Sequence, residues 1–234
     1  MAFHRGPKLV TNGLVLYVDA ANTKSYISGS TTWSNLATTS NSGTLTNGPT
    51  FNSANGGSIV LDGTNDYVEI ANSTSLQLST GMSVCCWVNI ANSNELGDIL
   101  NKQTYNNALD NSGFILRYYN GSFGVFGRLD FVILNNSYNV VSTSADVVLL
   151  NNWYYLCGVY NGSQMIIYVN GVSSGTTNYS SNARTNNVSL LIGGYSFGGY
   201  SIGGNVSTVQ IYNRGLADIE VLQNYNATKS RFGL

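Results

Sequence analysis

Residues 153–175 read WYYLCGVYNGSQMIIYVNGVSSG. Two runs rich in β-branched and aromatic residues are each stopped by Asn-Gly, at 161–162 and at 170–171. A two-residue hairpin turn of type I′ needs positive φ at both central positions, and Asn followed by Gly tolerates that best. The stretch therefore predicts antiparallel pairing. Before the first stop, Trp153, Tyr155, Cys157 and Val159 alternate with Tyr154, Leu156, Gly158 and Tyr160. After it, Met165, Ile167 and Val169 alternate with Ile166 and Tyr168. Both faces are apolar or aromatic, which places the ribbon in the middle of a packed sheet.

Working outward, Asn-Gly recurs at 12–13, 47–48, 55–56 and 120–121. Further strands are predicted at 14–19, 58–61, 66–70, 82–89, 97–101, 113–118, 123–128, 131–134, 138–142, 188–192 and 206–212. So many short strands at this spacing predict a two-sheet antiparallel sandwich. One short C-terminal helix is expected at 217–227, capped by Asp218, with Ile219, Leu222 and Tyr225 on one face. Residues 1–11 carry His4, Arg5, Pro7 and Lys8 without periodicity and read as an extended arm. Residues 20–57 read as long loops with one or two edge strands. Residues 12–234 form a single domain in this reading.

The bulk numbers exclude several classes. Charged residues are 9% and the net charge is −1, so there is no basic field to draw nucleic acid. No apolar run reaches the roughly 18–20 residues that span a bilayer. The opening MAFHRGPKLVTNG lacks the apolar stretch of a secretory signal, so synthesis in the cytoplasm without a signal peptide is expected. Cys85, Cys86 and Cys157 all sit in apolar runs and read as small buried hydrophobes, not a disulfide set. Cys85 and Cys86 are adjacent and should point to opposite faces of a strand.

Several stretches resemble one family. SIVLDGTNDYVEIANSTSL (58–76) followed by MSVCCWV (82–88) resembles the laminin-G-like branch of the concanavalin A-like lectin/glucanase superfamily. The 153–175 stretch is similar to that family's "W-H-H-V-A-x-x-Y-D-G" hairpin. IGG (192–194) and GNVSTVQIYNRGLADIEVLQNY (204–225) resemble its "D-E-V-R-I-Y-N-R-A-L" ending. GLVLYVDAANTKSY (13–26) and NYNATKSRFGL (224–234) also look like tailed-phage virion proteins that carry this module. The resemblance implies an all-β jelly roll of two antiparallel sheets. It departs from the family at Ser207 and Thr208, which stand where acidic residues are usual.

Candidate sites follow from residue chemistry. The glucanases of this superfamily use carboxylates at i, i+2 and i+4 on one strand face. None of the eleven carboxylates here forms that set; Glu95 and Asp98 fall at a loop entry, and the lone His4 is in the arm. No catalytic residue is assigned. No cofactor is required, although the resemblance implies a structural calcium, for which Asp19, Asp62 and Asp66 are the candidates. The competing reading has Asp62 and Asp66 capping their own turn. Aromatics in loops or at strand ends suit sugar stacking or subunit contact: Tyr105, Tyr118, Tyr119, Tyr138, Tyr179, Tyr195, Phe197 and Tyr200, densest in GGYSFGGYSIGG (193–204). The function expected is a non-enzymatic virion structural protein, a capsid decoration or fibre-type component. It would display a lectin-like domain on the virion surface. Its partners would be other virion subunits, its own copies and a host-surface glycan, with neither nucleic acid nor membrane insertion. A free carbohydrate-binding module and a divergent glycoside hydrolase are the alternatives.

Overall fold

The computed structural model describes residues 7–104, 111–194 and 199–234. The chain runs through β1 (Leu14–Asp19), β2 (Thr32–Trp33), β3 (Gly43–Thr46), β4 (Thr50–Asn52), β5 (Ser58–Asp62) and β6 (Tyr67–Ile70). It continues as β7 (Met82–Ser93), β8 (Leu96–Thr104), β9 (Ser112–Asn120), β10 (Phe126–Asn135) and β11 (Tyr138–Ser142). Then come β12 (Trp153–Tyr160), β13 (Gln164–Val169), β14 (Val172–Asn178), β15 (Leu190–Ile192) and β16 (Ile202–Tyr212). Helix α1 (Asp218–Thr228) and a 3-10 turn at Lys229–Phe232 close it.

Two eight-stranded antiparallel sheets face each other. The first has the order β14-β13-β12-β7-β16-β5-β4, with β1 also paired to β16. The second has the order β11-β10-β9-β8-β15-β6-β3-β2. This is the all-β jelly-roll sandwich expected from the strand pattern, with one short C-terminal helix. No helix is long and apolar enough to cross a membrane, among the described residues.

Of the 153–175 ribbon, β12 is central, held between β7 and β13, but the ribbon runs out to the sheet edge at β14 instead of staying in the middle. Its two stops differ. Asn170 and Gly171 both have positive φ (52° and 80°) and join Val169 to its partner Val172, the two-residue turn expected. At the other stop only Gly162 is left-handed, and the loop takes three residues. Asn161 Oδ1 there accepts the N–H groups of Ser163 and Gln164. Leu156, Gly158 and Tyr160 face the interior between the sheets. A Cβ at Gly158 would lie 2.4 Å from the Phe131 ring of the facing sheet, so that position must be glycine for the layers to close.

The other face of β12 packs under the C-terminal segment. Trp87, Tyr155, Cys157, Val159, Tyr168 and Tyr212 meet Val221 and Phe232 there. Rings of this kind contribute about 1.5–3 kcal/mol each on full burial. The helix face differs from the one expected: Val221, Asn224 and Thr228 are buried, and Ile219 is exposed. The reason is polar. Trp87 Nε1 donates to Thr228 Oγ1 at 2.7 Å, and Asn224 bonds Val10 N–H and the Tyr212 hydroxyl. Glu220, not Asp218, caps the start by accepting the Ala217 N–H at 2.9 Å. Asp218 instead accepts the Tyr168 hydroxyl at 2.6 Å. The described part of the arm lies on its own domain, where Lys8 O accepts Gln223 Nε2.

Two more expectations are corrected. Cys86 is a free buried thiol, but Cys85 and Cys157 form a disulfide. They stand directly opposite each other on neighbouring strands, on the face turned away from Cys86. The bond overturns the reading of Cys85 and Cys157 as separate buried hydrophobes. The strand expected at 123–128 begins only at Phe126, after a 3-10 turn at Ser122–Gly124, and continues through 131–134 as one strand, β10. Gly127 bulges it at positive φ without ending it.

Candidate functional site

The outer face of the second sheet carries the main polar cluster. On β9, Phe114, Leu116 and Tyr118 point into the sandwich, so Ile115, Arg117 and Tyr119 point out. Strand register sets Arg117 opposite Asp98 on β8 and opposite Asp130 on β10. Arg117 Nε donates to Asp98 Oδ1 at 2.6 Å and an Nη to Oδ2 at 3.1 Å, a bidentate pair. Asn101 donates to the same Oδ2. Asp98 and Asp130 are almost fully buried, and Arg117 is 8% exposed. Burial pushes the Asp98 carboxyl up, against Arg117 and Asn101 pulling down. Burial would lower Arg117, but the Asp98 carboxylate raises it overall. For Asp98 burial outweighs its partners and the carboxyl lies above its ordinary value, while the bidentate contact holds the pair in one geometry.

Beside this pair, an Nη of Arg128 donates to Asp130 Oδ2 at 3.1 Å. Its Nε lies 3.0 Å from Oδ1 but is not aimed at it, so that contact is Coulombic only. Both arginines also touch rings: Arg128 lies 3.9 Å from the Tyr119 ring centre and Arg117 4.9 Å from that of Tyr200. Tyr138 shows 49% of its surface to solvent. Its hydroxyl end is within electrostatic reach of Arg117, Tyr119, Asp130 and Asp98, and burial there raises its pKa. The β9–β10 turn next to Arg128 presents Phe126 and Phe123, the latter almost wholly exposed with left-handed φ of 55°. The result is a charge-neutral floor of two Asp–Arg pairs carrying tyrosines whose edges reach water.

Against this geometry, a laminin G family model matches residues 62–222; its description is the concanavalin A-like lectin/glucanases superfamily. The chain belongs to that superfamily. Among solved structures, it is similar to the binding domain of Paraclostridial Mosquitocidal Protein 1, at 15% identity and TM-score 0.70 over 93% of this chain and 52% of that one. The botulinum neurotoxin serotype D ligand-binding domain in complex with N-acetylneuraminic acid aligns at 14% identity and TM-score 0.69, over 92% and 51%. Domain 4 of AbnA, an extracellular arabinanase of Geobacillus stearothermophilus in complex with arabinotriose, aligns at 15% and 0.68, over 91% and 98%. The chain thus spans about half the length of the toxin chains it matches. No curated protein matches by sequence.

The fold sorts the candidates proposed from sequence. Tyr200, Tyr119 and Tyr138 reach the outer-face cluster. Tyr118 does not: it is 2% exposed in the interior core, one position out of phase with Tyr119. Tyr179 packs edge-on against Tyr160. Tyr105, Tyr195 and Phe197 lie outside the described residues. Asp98 is the third residue of β8, inside the strand and not at a loop entry.

The three calcium candidates do not assemble. Asp19 is paired with Arg231 at 3.1 Å and accepts the Tyr17 hydroxyl. Asp62 Oδ1 accepts the N–H groups of Thr64, Asn65 and Asp66, which lowers its pKa, so it caps its own turn. Asp66 Oδ2 accepts the Asp62 N–H. No group of three metal-ligating side chains exists among the described residues. These residues do not fit the six to eight oxygens calcium takes. At the family's acidic position, Ser207 is buried and bonds Gly57 O and Arg231.

Sequence reasoning missed Arg117, Arg128 and Asp130. Arg128 and Asp130 pair two residues apart on β10, but Arg117 meets Asp98 and Asp130 across strands, and only the strand order brings the four into one row.

Proposed function

We propose that this chain is a non-catalytic, lectin-like glycan-binding domain displayed on the surface of a tailed-phage particle. The observation that carries the binding reading is the tyrosine-bearing row Asp98–Arg117–Asp130–Arg128. Tyr138 and Tyr200 present water-facing edges and Arg128 keeps part of its side chain open, all held by the buried pairs beneath, and rings beside an open donor suit the apolar face and the hydroxyls of a sugar. The similar toxin and arabinanase domains, crystallised with N-acetylneuraminic acid and arabinotriose, support a sugar ligand on this sandwich.

Binding without turnover follows from the carboxylates. Asp98 and Asp130 are two strand spacings apart, roughly 9–10 Å between backbones. Glycoside hydrolysis needs two carboxyl groups free to act at the scissile bond. However, both oxygens of Asp98 are held by Arg117 and Asn101, and Asp130 is paired with Arg128. Neither is free to deliver a proton or to activate water.

The virion reading rests on the likeness of residues 13–26 and 224–234 to tailed-phage proteins. It is supported by a chain of low charge, which suits dense arrays of copies. In this reading the subunit docks to capsid or tail proteins. The free carbohydrate-binding module stays as the second reading, favoured by the near-complete overlap with domain 4 of the arabinanase.

A glycan array followed by calorimetry tests the binding. Saturable binding that Tyr138→Ala abolishes is expected, and an array with no bound sugar overturns it. Quantitative mass spectrometry of purified particles tests the location. Fixed stoichiometry with capsid or tail subunits is expected, and absence from particles leaves the free module.

A further inference from the structure

We infer that a second glycan site, built for a neutral sugar residue, lies at the open edge of the sandwich between β4 and the β2–β3 end of the facing sheet. A cavity of about 400 Å³ opens there. That lies within the range of small-molecule sites. Its apolar floor is Tyr26, Leu45 and Phe51, with the Tyr26 and Phe51 rings 5.4 Å apart and tilted by 33°. Tyr26 is buried, while Phe51 is half-buried and lines the cavity.

The walls carry the hydroxyls of Ser28, Thr31 and Thr50. Among the described residues none of these three side chains has a hydrogen-bond partner, unlike Ser30, whose hydroxyl is held by Thr32. Both walls are fixed in place. The Tyr26 hydroxyl donates to Ser30 O at 3.0 Å, and Leu45 N–H donates to Thr31 O at 2.8 Å. The opposite wall turns through Asn47 and Gly48, both at positive φ, and Asn47 Nδ2 donates to Asn65 O at 2.8 Å.

The chemistry selects the ligand. A ring floor takes the C–H face of a pyranose, and unpaired hydroxyls at the rim give and take hydrogen bonds with sugar hydroxyls. Among the described residues no Asp, Glu, Lys, Arg or His lines the cavity, so none of them compensates a carboxylate, sialate or phosphate there. The site is therefore for neutral sugars and is separate from the charged row on the outer face of the second sheet.

The test is an NMR titration of the full chain, following backbone amides. The probes are the methyl glycosides of glucose, galactose and mannose, with N-acetylglucosamine; glucuronate and glucose 6-phosphate are the charged controls. At least one neutral sugar is expected to shift amides at 28–31 and 48–51, with the charged controls weaker. Thr31→Val/Thr50→Val keeps the shape and removes two hydroxyls, and Phe51→Leu keeps an apolar floor and removes the ring. Each should weaken binding about tenfold, the equivalent of about 1.4 kcal/mol. Tyr138→Ala should leave these shifts unchanged. No shift at the cavity with any neutral sugar overturns the inference, as do equal affinities in the variants or equal binding of the charged controls. Shifts confined to the outer face of the second sheet refute this site while leaving the outer-face reading intact.

Discussion

Replacing Arg117 with Met should destabilise the protein far more than removing a surface charge would. The substitution removes both hydrogen bonds to Asp98, a carboxylate with no solvent exposure, and leaves it only Asn101 as a side-chain partner. Breaking a buried pair from one side strands the other charge and costs about 3–5 kcal/mol. In a domain of this size, each kcal/mol moves Tm by about 2–4 °C, so the drop should be about 6–20 °C. Asp98→Asn alone keeps an acceptor for Arg117 and should cost about 1.5–3 kcal/mol, the worth of an ionic hydrogen bond. The double variant Asp98→Asn/Arg117→Met leaves neither charge in the sheet and should fall within about 1 kcal/mol of the native chain. Urea denaturation followed by tryptophan fluorescence, with thermal melts, measures all four proteins. The coupling should be at least about 2 kcal/mol, and the double variant should be more stable than Arg117→Met. If Arg117→Met costs less than about 1 kcal/mol and the two changes add, the pair behaves like an exposed one. The dry charged floor beneath Tyr138 and Tyr200 would then be wrong.

Gly158→Ala places a methyl 2.4 Å from the Phe131 ring and should cost ~1–3 kcal/mol, a fall in Tm of about 2–12 °C by calorimetry; an unchanged Tm means the sheets do not meet there. Arg214→Ala removes the group that lowers the Glu220 pKa, at 2.6 Å from its carboxylate. Because that folded-state pKa is depressed, the stability gap to the native chain should be full above the ordinary value near 4.5 and close as pH falls through the lowered one. Urea melts across pH 2–7 check this, and a gap that widens in acid refutes it. Calcium or EDTA should leave Tm unchanged, since Asp62 caps its own turn and Asp19 is paired with Arg231; a calcium-dependent rise would overturn that assignment.

How much could be read in advance depended on range along the chain. The turn at Asn170-Gly171 is local: two residues decide the backbone, and the paired strands follow. Asn161-Gly162 looks identical, yet its loop is one residue longer because the Asn161 side chain closes an Asx turn onto Ser163 and Gln164. Alternation failed where apolar or aromatic residues occupy both faces. In the run FILRYY nothing marks which tyrosine is inside, so Tyr118 was offered as a ligand platform while it fills the core. β14 escaped notice for the opposite reason, since its residues are polar and form an exposed edge. The helix face was misjudged because Asn224 and Thr228, polar residues, are buried to satisfy Val10, Tyr212 and Trp87.

The remaining misses share a cause that no local pattern carries. Cys85 and Cys157 are 72 residues apart and become neighbours only because β12 lies beside β7. Arg117 meets Asp98 and Asp130 only because β9 lies between β8 and β10, and without that order each looks like a lone surface charge. The strands themselves come from side-chain periodicity, whereas the site comes from their order. The long connection from β7 to β12 sets the first neighbourhood, whereas β8, β9 and β10 follow one another in the chain and pair as a meander. The chemistry of the outer face is thus a property of topology, and a substitution that preserves every strand but shifts β8 by one residue would erase the row by turning Asp98 to the other side of the sheet.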